Sequence, residues 1–371
     1  MIKRTLRKLH RWLPGACLPL WFLTLVAAAC HIGFLCSRSF ADWFNLHVST
    51  IFRSVTAHLT SWIPFSLAET VILSLPITMT VLLVVSIRKA ERSKRYMIRA
   101  LCGLLTIPAV LYALFVASFA AGYRGTTVDK KLGLDRQEVS ARELYDTAMV
   151  VVDKLNGLAN DVTFVQDKGS VRPYDHKETV SLCLDSYAKL AEQYDFLPVL
   201  HVPVKQITSS AFMTYTHISG MYTYFTGEAN LNTNYPYFVN VYTTAHEMAH
   251  QRGIARENEA NFLAYLVCIG SDDPYMQYSG YLNMYEYLAS PLYTASPELY
   301  YEVVQSLDFR VRYDLQCYSE FFDKYRDNVA ADVSDTVNNT YLVLQGTAEG
   351  SRSYGMVVDL AVAYHLHGEA E

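Results

Sequence analysis

Three apolar runs fall within the first 122 residues, and they constrain the fold more than anything else in the chain. They cover Cys17–Cys36 (CLPLWFLTLVAAACHIGFLC), 64–87 and 100–122. Each is long enough for a helix to cross ~30 Å of hydrocarbon, which needs about 20 apolar residues. The second carries one acid, Glu69, near its start, within snorkelling distance of the interface. A buried core helix is the plainer account of any one such run. Three in succession, each flanked by charge, read as membrane spans.

Charge divides the chain at the same place. Residues 1–123 hold 13 Lys/Arg against 3 Asp/Glu, and residues 124–371 hold 18 against 33. With 51 % hydrophobic residues the chain is too apolar for disorder. The acidic larger part speaks against nucleic-acid binding. Basic residues in the short loops set the orientation. Lys3, Arg4, Arg7, Lys8 and Arg11 precede the first run; Arg88, Lys89, Arg92, Lys94, Arg95 and Arg99 lie between the second and third; only Arg38 and Arg53 lie between the first and second. The expected topology is a multi-pass protein of the cell membrane with a cytoplasmic N-terminus, a membrane anchor over 1–123 and an extracytoplasmic domain over 124–371. No small-x-small cleavage site follows the first run, so it is expected to be retained. The loop 43–62 spaces Phe44, Val48, Phe52, Val55 and Leu59 at roughly helical intervals and is expected to lie in the interface. Seven sparsely placed cysteines make no disulfide framework.

Residues 124–371 show no linker, low-complexity tract or repeat. Apolar residues at three-to-four spacing predict helices over 137–158 and 176–194, and again over 238–251, 255–270, 274–289, 298–325, 334–345 and 352–366. Between them, 199–204, 220–225 and 228–234 have the texture of short strands. The expected class is α+β, mostly helical, with one small β element.

The chemistry concentrates in residues 243–262, TTAHEMAHQRGIARENEANF. His246 and His250 are four apart, so on a helix they share a face and can offer two imidazoles to one metal. Glu247, beside the first, can act as general base towards a water that the metal acidifies. Val239, Val241, Ala245, Met248 and Ala249 surround the motif, which marks the helix as partly buried; two histidines and a glutamate there call for a partner. Gly253 ends the helix. The next helix begins with Glu257 and Glu259, which point to opposite sides of it; Glu257 is favoured as third ligand, with Asn261 one turn further along its face. The plainer account of the two acids is a solvated first turn favoured by the helix dipole.

H-E-x-x-H followed by E-x-x-A-N on the next helix resembles the glutamate-zincin metallopeptidases. More closely, GMYTYFTGEANLN (220–232), HEMAHQRGIARENEANFLAYL (246–266) and YSGYL (278–282) resemble the bacterial membrane family described as domain of unknown function 3810, over essentially the whole chain. That resemblance implies a zincin-like domain after the spans. It also implies a β-strand edge above the metal, at 222–225 or 228–232, that holds substrate backbone. The seven-residue step from His250 to Glu257 is shorter than in most glutamate zincins. Tyr278, Tyr281 and Tyr285 are weak candidates for oxyanion donors, since among 28 tyrosines packing is the commoner role. His201, His217, His365 and His367 are ordinary polar residues on this reading.

The leading expectation is a membrane-anchored zinc metallopeptidase. One zinc ion per chain is held by His246, His250 and Glu257, and Glu247 activates water against a peptide or other amide bond. Its partners are a peptide or protein substrate and the lipid bilayer, with no nucleic acid. A second expectation is a non-catalytic membrane protein with a structural or sensory zinc site, which would need a fourth protein ligand. A transporter role, resting on the spans alone, ranks last.

Overall fold

The computed structural model describes residues 13–90, 93–345 and 357–366. The basic residues Lys3, Arg4, Arg7, Lys8, Arg11 and Arg92, and His367, lie outside the described residues. The chain divides into two compact units: residues 1–125 with 224–227, and residues 126–223 with 228–371.

The first unit contains α1 (Cys17–Cys36), α2 (Arg38–Phe44), a π-helical turn (Asn45–Ser49), α3 (Thr50–Ser61), α4 (Leu67–Ala90) and α5 (Lys94–Ser118). Helices α1, α4 and α5 are long and apolar enough to cross a membrane. The third run therefore starts earlier than its apolar residues suggest, because Ser93 caps α5 by accepting from the Arg95 amide. Polar contacts pin α1 to α5: the Trp21 indole donates to Thr106 Oγ1 (2.9 Å), the Thr24 hydroxyl to the Ala109 carbonyl (3.1 Å), and His31 Nδ1 lies 2.9 Å from Tyr112 Oη. With no hydrophobic drive between helices in lipid, such bonds and close packing decide which helices associate. Along 43–62, Trp43, Phe52, Val55, Leu59 and Trp62 are exposed, an apolar stripe of the kind an interfacial helix presents. Arg53 on the same stretch is buried, its guanidinium donating to Asn45 Oδ1, Thr50 Oγ1 and the Ser118 carbonyl. All seven cysteines are free thiols.

The second unit is mostly helical: α6 (Val128–Lys131), α7 (Ala141–Leu158), the hairpin β1 (Thr163–Val165) and β2 (Gly169–Val171), α8 (His176–Gln193), β3 (Val204–Gln206), α9 (Ser210–Thr214), β4 (Gly220–Thr223), β5 (Glu228–Leu231), α10 (Tyr237–Gln251), α11 (Glu257–Ile269), α12 (Pro274–Ala295), α13 (Pro297–Ser306), α14 (Phe309–Asp323), α15 (Val329–Leu344) and α16 (Val357–Leu366). Helix starts follow their caps. Ser140 and Glu143 form a capping box at α7, and Asp175, Asp273 and Ser296 cap α8, α12 and α13. The single helix expected over 298–325 is two, since Leu307 is extended and Asp308 caps a new start by accepting from the Arg310 amide. The strand expected at 199–204 begins only at Val204, because Pro203 has no N–H to offer a ladder.

The three-stranded sheet has the order β3-β5-β4, with β3 parallel and β4 antiparallel to β5. Strand β5 is central and wholly buried, so both its edges are consumed, and β3 and β4 are the outer strands. The core is built on α10 and α11, packed against α8 and α12, with α7 on the far side of α12 and α16 against α7, α11 and α12. Phe238, Met248, Phe262, Leu263 and Tyr265 are fully buried there, each contributing roughly 1.5–3 kcal/mol by removal from water.

Candidate metal centre

The site rests on the way α10 ends. Gly253 takes φ +94°, a left-handed conformation open to glycine at little cost, and its N–H donates to the His250 carbonyl (2.9 Å) while that of Ile254 donates to the Ala249 carbonyl (3.2 Å). The turn brings the Ile254 carbonyl back to His250 Nδ1 at 2.7 Å. A carbonyl can only accept, so Nδ1 carries the proton and, in the neutral ring, Nε2 keeps its lone pair for a ligand. One feature thus stops the helix and orients an imidazole.

The same turn admits α11, whose first residue is Glu257. Its Oε2 lies 3.3 Å from His246 Nε2 and 3.4 Å from His250 Nε2, and one ligand atom from each of the three residues falls within 4.8 Å of the others. The two imidazoles stand edge-on, centroids 4.6 Å apart. The group is partly open: the His246 and Glu257 side chains are 12 % and 16 % exposed. Glu259 points elsewhere. Its carboxylate accepts from Arg256 Nη1 (2.8 Å) and the Val128 amide (3.2 Å).

Electrostatics match this geometry. Burial disfavours charge on both Glu257 and His250, but each outweighs that for the other: His250 is held up at about 9 and Glu257 well below the usual carboxylate range. Glu247 is different. Burial pushes its carboxyl up to about 7, although His246 and His250 and a hydrogen bond from the Tyr222 amide pull it down. Its Oε2 is buried without a hydrogen-bond partner, as is His246 Nδ1.

The donor set suits a metal ion. Two imidazole nitrogens and one carboxylate oxygen are zinc donors, and bonds of about 2.0–2.1 Å in a tetrahedron place donor atoms about 3.3–3.4 Å apart. The observed separations match that spacing and exceed the usual N–H···O distance of about 2.9–3.0 Å.

Other residues singled out by spacing fall away from the cluster. Tyr278 Oη donates to Asp314 Oδ2 (3.0 Å), Tyr281 packs on the Tyr265 ring (5.7 Å), and Tyr285 is buried beside Tyr300. Tyr287, which the spacing passed over, is the phenol whose ionisation the Glu257 carboxylate opposes, after burial. Its ring lies 6.3 Å from that of Tyr242, whose hydroxyl donates to the Asn261 carbonyl (2.6 Å). The Asn261 side chain makes no bond from its Nδ2 among the described residues. Of the candidate edges, β5 is interior and β4 is an outer strand whose Tyr222 amide bonds Glu247. His217 Nε2 donates to the Tyr325 carbonyl (2.7 Å) and His365 Nε2 lies 2.6 Å from Tyr265 Oη; neither belongs to the metal group.

Searches of curated proteins and of solved structures find no match to the chain. The family model described as Protein of unknown function (DUF3810) matches residues 44–362, and the chain belongs to that family.

Proposed function

We propose that this protein is a membrane-anchored zinc metallopeptidase with a zincin-like hydrolytic unit. The observation that carries the reading is the convergence of His246, His250 and Glu257 on one point, with Glu247 beside them and its buried Oε2 without a hydrogen-bond partner. His246 and His250 would hold zinc through Nε2 and Glu257 through a carboxylate oxygen. Bound there, zinc supplies a Lewis acid that polarises an amide carbonyl and makes water acidic near neutral pH. Glu247 takes the proton from the attacking water and passes it to the leaving amine, the role of a positioned general base. The Tyr222 amide and the close approach of Gly220 hold that carboxylate in place. Tyr287 is the phenol assigned to donate to the carbonyl oxygen as charge builds on it. The outer strand β4 would take substrate backbone as an added strand.

Three protein ligands support an open, catalytic position over a closed structural one; among the described residues no fourth joins the group. The basic residues flanking α4 and α5 support a cytoplasmic N-terminus and an extracytoplasmic hydrolytic unit. The test is a zinc count on the full chain in detergent micelles, followed by cleavage of a peptide library by the parent and by Glu247→Gln. About one zinc per chain, with cleavage confined to the parent, supports the reading. A parent without zinc under conditions that load other zinc hydrolases overturns it.

A further inference from the structure

We propose that α3 is a lipid-docking helix that steadies the hydrolytic site: a phospholipid interface covers its apolar face, and its opposite face grips the turn joining β4 to β5. What this means for catalysis rests on the zinc-hydrolase reading and adds a regulation to it.

The two faces of α3 differ sharply. Arg53, Ala57 and Thr60 point to one side and are buried. Phe52, Val55 and Leu59 point to the other, followed by Trp62; Leu59 and Trp62 are 64 % and 77 % exposed. Continuity identifies what covers the outer face. The chain reaches this stretch from α1 and leaves it into α4, and both of those helices are long and apolar enough to cross a membrane. Residues 43–62 contain no acid and no lysine, and their one arginine is the buried Arg53. Trp43 and Trp62 stand at the two ends, the residue type that settles at the headgroup level. A face of this make-up enters lipid by burying apolar area rather than by attraction to anionic headgroups.

The inner face holds the turn. Residues 224–227 join β4 to β5 and belong to the first unit. Thr60 Oγ1 donates to the Thr226 carbonyl (3.2 Å). Gly227, at φ +72°, comes so close that a Cβ on it would meet the Ala57 nitrogen at 2.6 Å. The Tyr224 ring stands edge-on to Phe115 of α5 (5.4 Å), and the Ser118 hydroxyl reaches the Tyr224 carbonyl (3.5 Å). Since Arg53 of α3 donates to the Ser118 carbonyl, α3, α5 and the turn form one bonded group.

From this turn the chain runs directly into β4, whose first residue, Gly220, lies against Glu247. Ladder pairs from Gly220↔Leu231 to Thr223↔Glu228 tie β4 to β5, so the ribbon follows its turn. At its other end the Thr243 hydroxyl donates to Ser219 Oγ (3.1 Å), which joins the start of the ribbon to the metal-centre helix. A shift of α3 therefore reaches the strand beside Glu247 through covalent and ladder bonds alone, and lipid on the outer face of α3 restrains that shift.

The test uses the full chain, zinc-loaded, in phosphatidylcholine nanodiscs. Lipid brominated high on its acyl chains is expected to quench the emission that Trp62 contributes, taken as the difference between the parent and Trp62→Phe. Val55→Ser with Leu59→Ser changes only exposed side chains. It is expected to speed hydrogen exchange over 219–227 roughly tenfold or more, and to lower kcat/KM on a peptide roughly fivefold or more with zinc content unchanged. Thr60→Val loses the bond to Thr226 and is expected to do the same while Trp62 stays quenched. An unquenched Trp62, or exchange over 219–227 equal in the lipid-facing variant and the parent, overturns the proposal whatever Thr60→Val does. Faster exchange with kcat/KM unchanged overturns the link to catalysis. A zinc-loaded parent that cleaves nothing overturns the hydrolase reading, and quenching and exchange still decide the docking surface and its hold on the turn.

Discussion

Gly220 lies directly against Glu247: a Cβ at Gly220 would sit 2.6 Å from Glu247 Oε1 and 2.7 Å from its Cγ. The edge strand and the metal-centre helix are thus in contact through a residue that has no side chain. Gly220→Ala must displace the Glu247 side chain and the Thr243 methyl, neither of which belongs to the three ligands. The expected result is a full zinc complement and a fall in kcat/KM on the order of 10²-fold, since small misplacements of a catalytic group cost that much. Full activity in the Gly220→Ala variant would show that Glu247 need not hold its observed position.

Glu247→Gln keeps the shape of the side chain and removes its ability to take a proton. Zinc content is expected to stay near that of the parent, and the rate of peptide hydrolysis to fall by roughly 10²–10⁴-fold. Steady-state kinetics beside metal analysis separate this from a loss of metal.

The two acids at the start of α11 should behave differently on removal. Glu257→Ala is expected to abolish stoichiometric zinc binding. Glu259→Ala should retain zinc but lower stability by about 1–3 kcal/mol, because it removes the acceptor that Arg256 and the buried Val128 amide share. Metal analysis and thermal unfolding of both variants in micelles distinguish these outcomes.

Tyr287→Phe removes a hydroxyl without changing the ring. If Tyr287 donates to the developing oxyanion, kcat falls by roughly 10–10²-fold and KM changes little. The same change at Tyr278, which is bonded to Asp314, should lower thermal stability and leave kcat near the parent value.

His365 provides a pH test away from the metal. Burial, helped by Lys154, lowers its pKa to about 4 from an ordinary 6.5. The unfolded chain therefore takes up a proton that the folded chain resists. Stability is fully present above pH 6.5 and is lost as the pH falls from there towards 4, by about 2 kcal/mol at pH 5. His365→Gln can still bond the Tyr265 hydroxyl and should flatten this slope, which thermal unfolding between pH 7.5 and 5 measures.

Much of this was legible in the residues themselves. The extent of α1, the presence of the other two apolar helices, and the helix carrying His246 and His250 follow from runs and periods that need no tertiary information, because a span or an amphipathic helix is specified within its own segment. The stop at Gly253 is equally local, a positive φ that glycine alone takes readily. For the tyrosines, spacing left packing as the commoner role. It marked Tyr278, Tyr281 and Tyr285 through a shared helical face, but that face packs on Asp314, on the Tyr265 ring and beside Tyr300, whereas Tyr287 on another face reaches the neighbourhood of Glu257.

By itself, then, the sequence determined the three apolar helices, the mostly helical character of the larger unit and the pairing of two histidines one turn apart. These depend on contacts between residues at most a few positions distant. Only the tertiary structure decided that Glu257 and not Glu259 joins the histidines, that β4 and not β5 is an outer strand, and that Gly220 lies against Glu247. Each of these depends on how separate elements pack: the angle at which α11 leaves the Gly253 turn, the strand order β3-β5-β4, and the approach of an edge strand to a buried helix. Long-range packing of this kind is set by the summed burial of many side chains, and no single segment carries it.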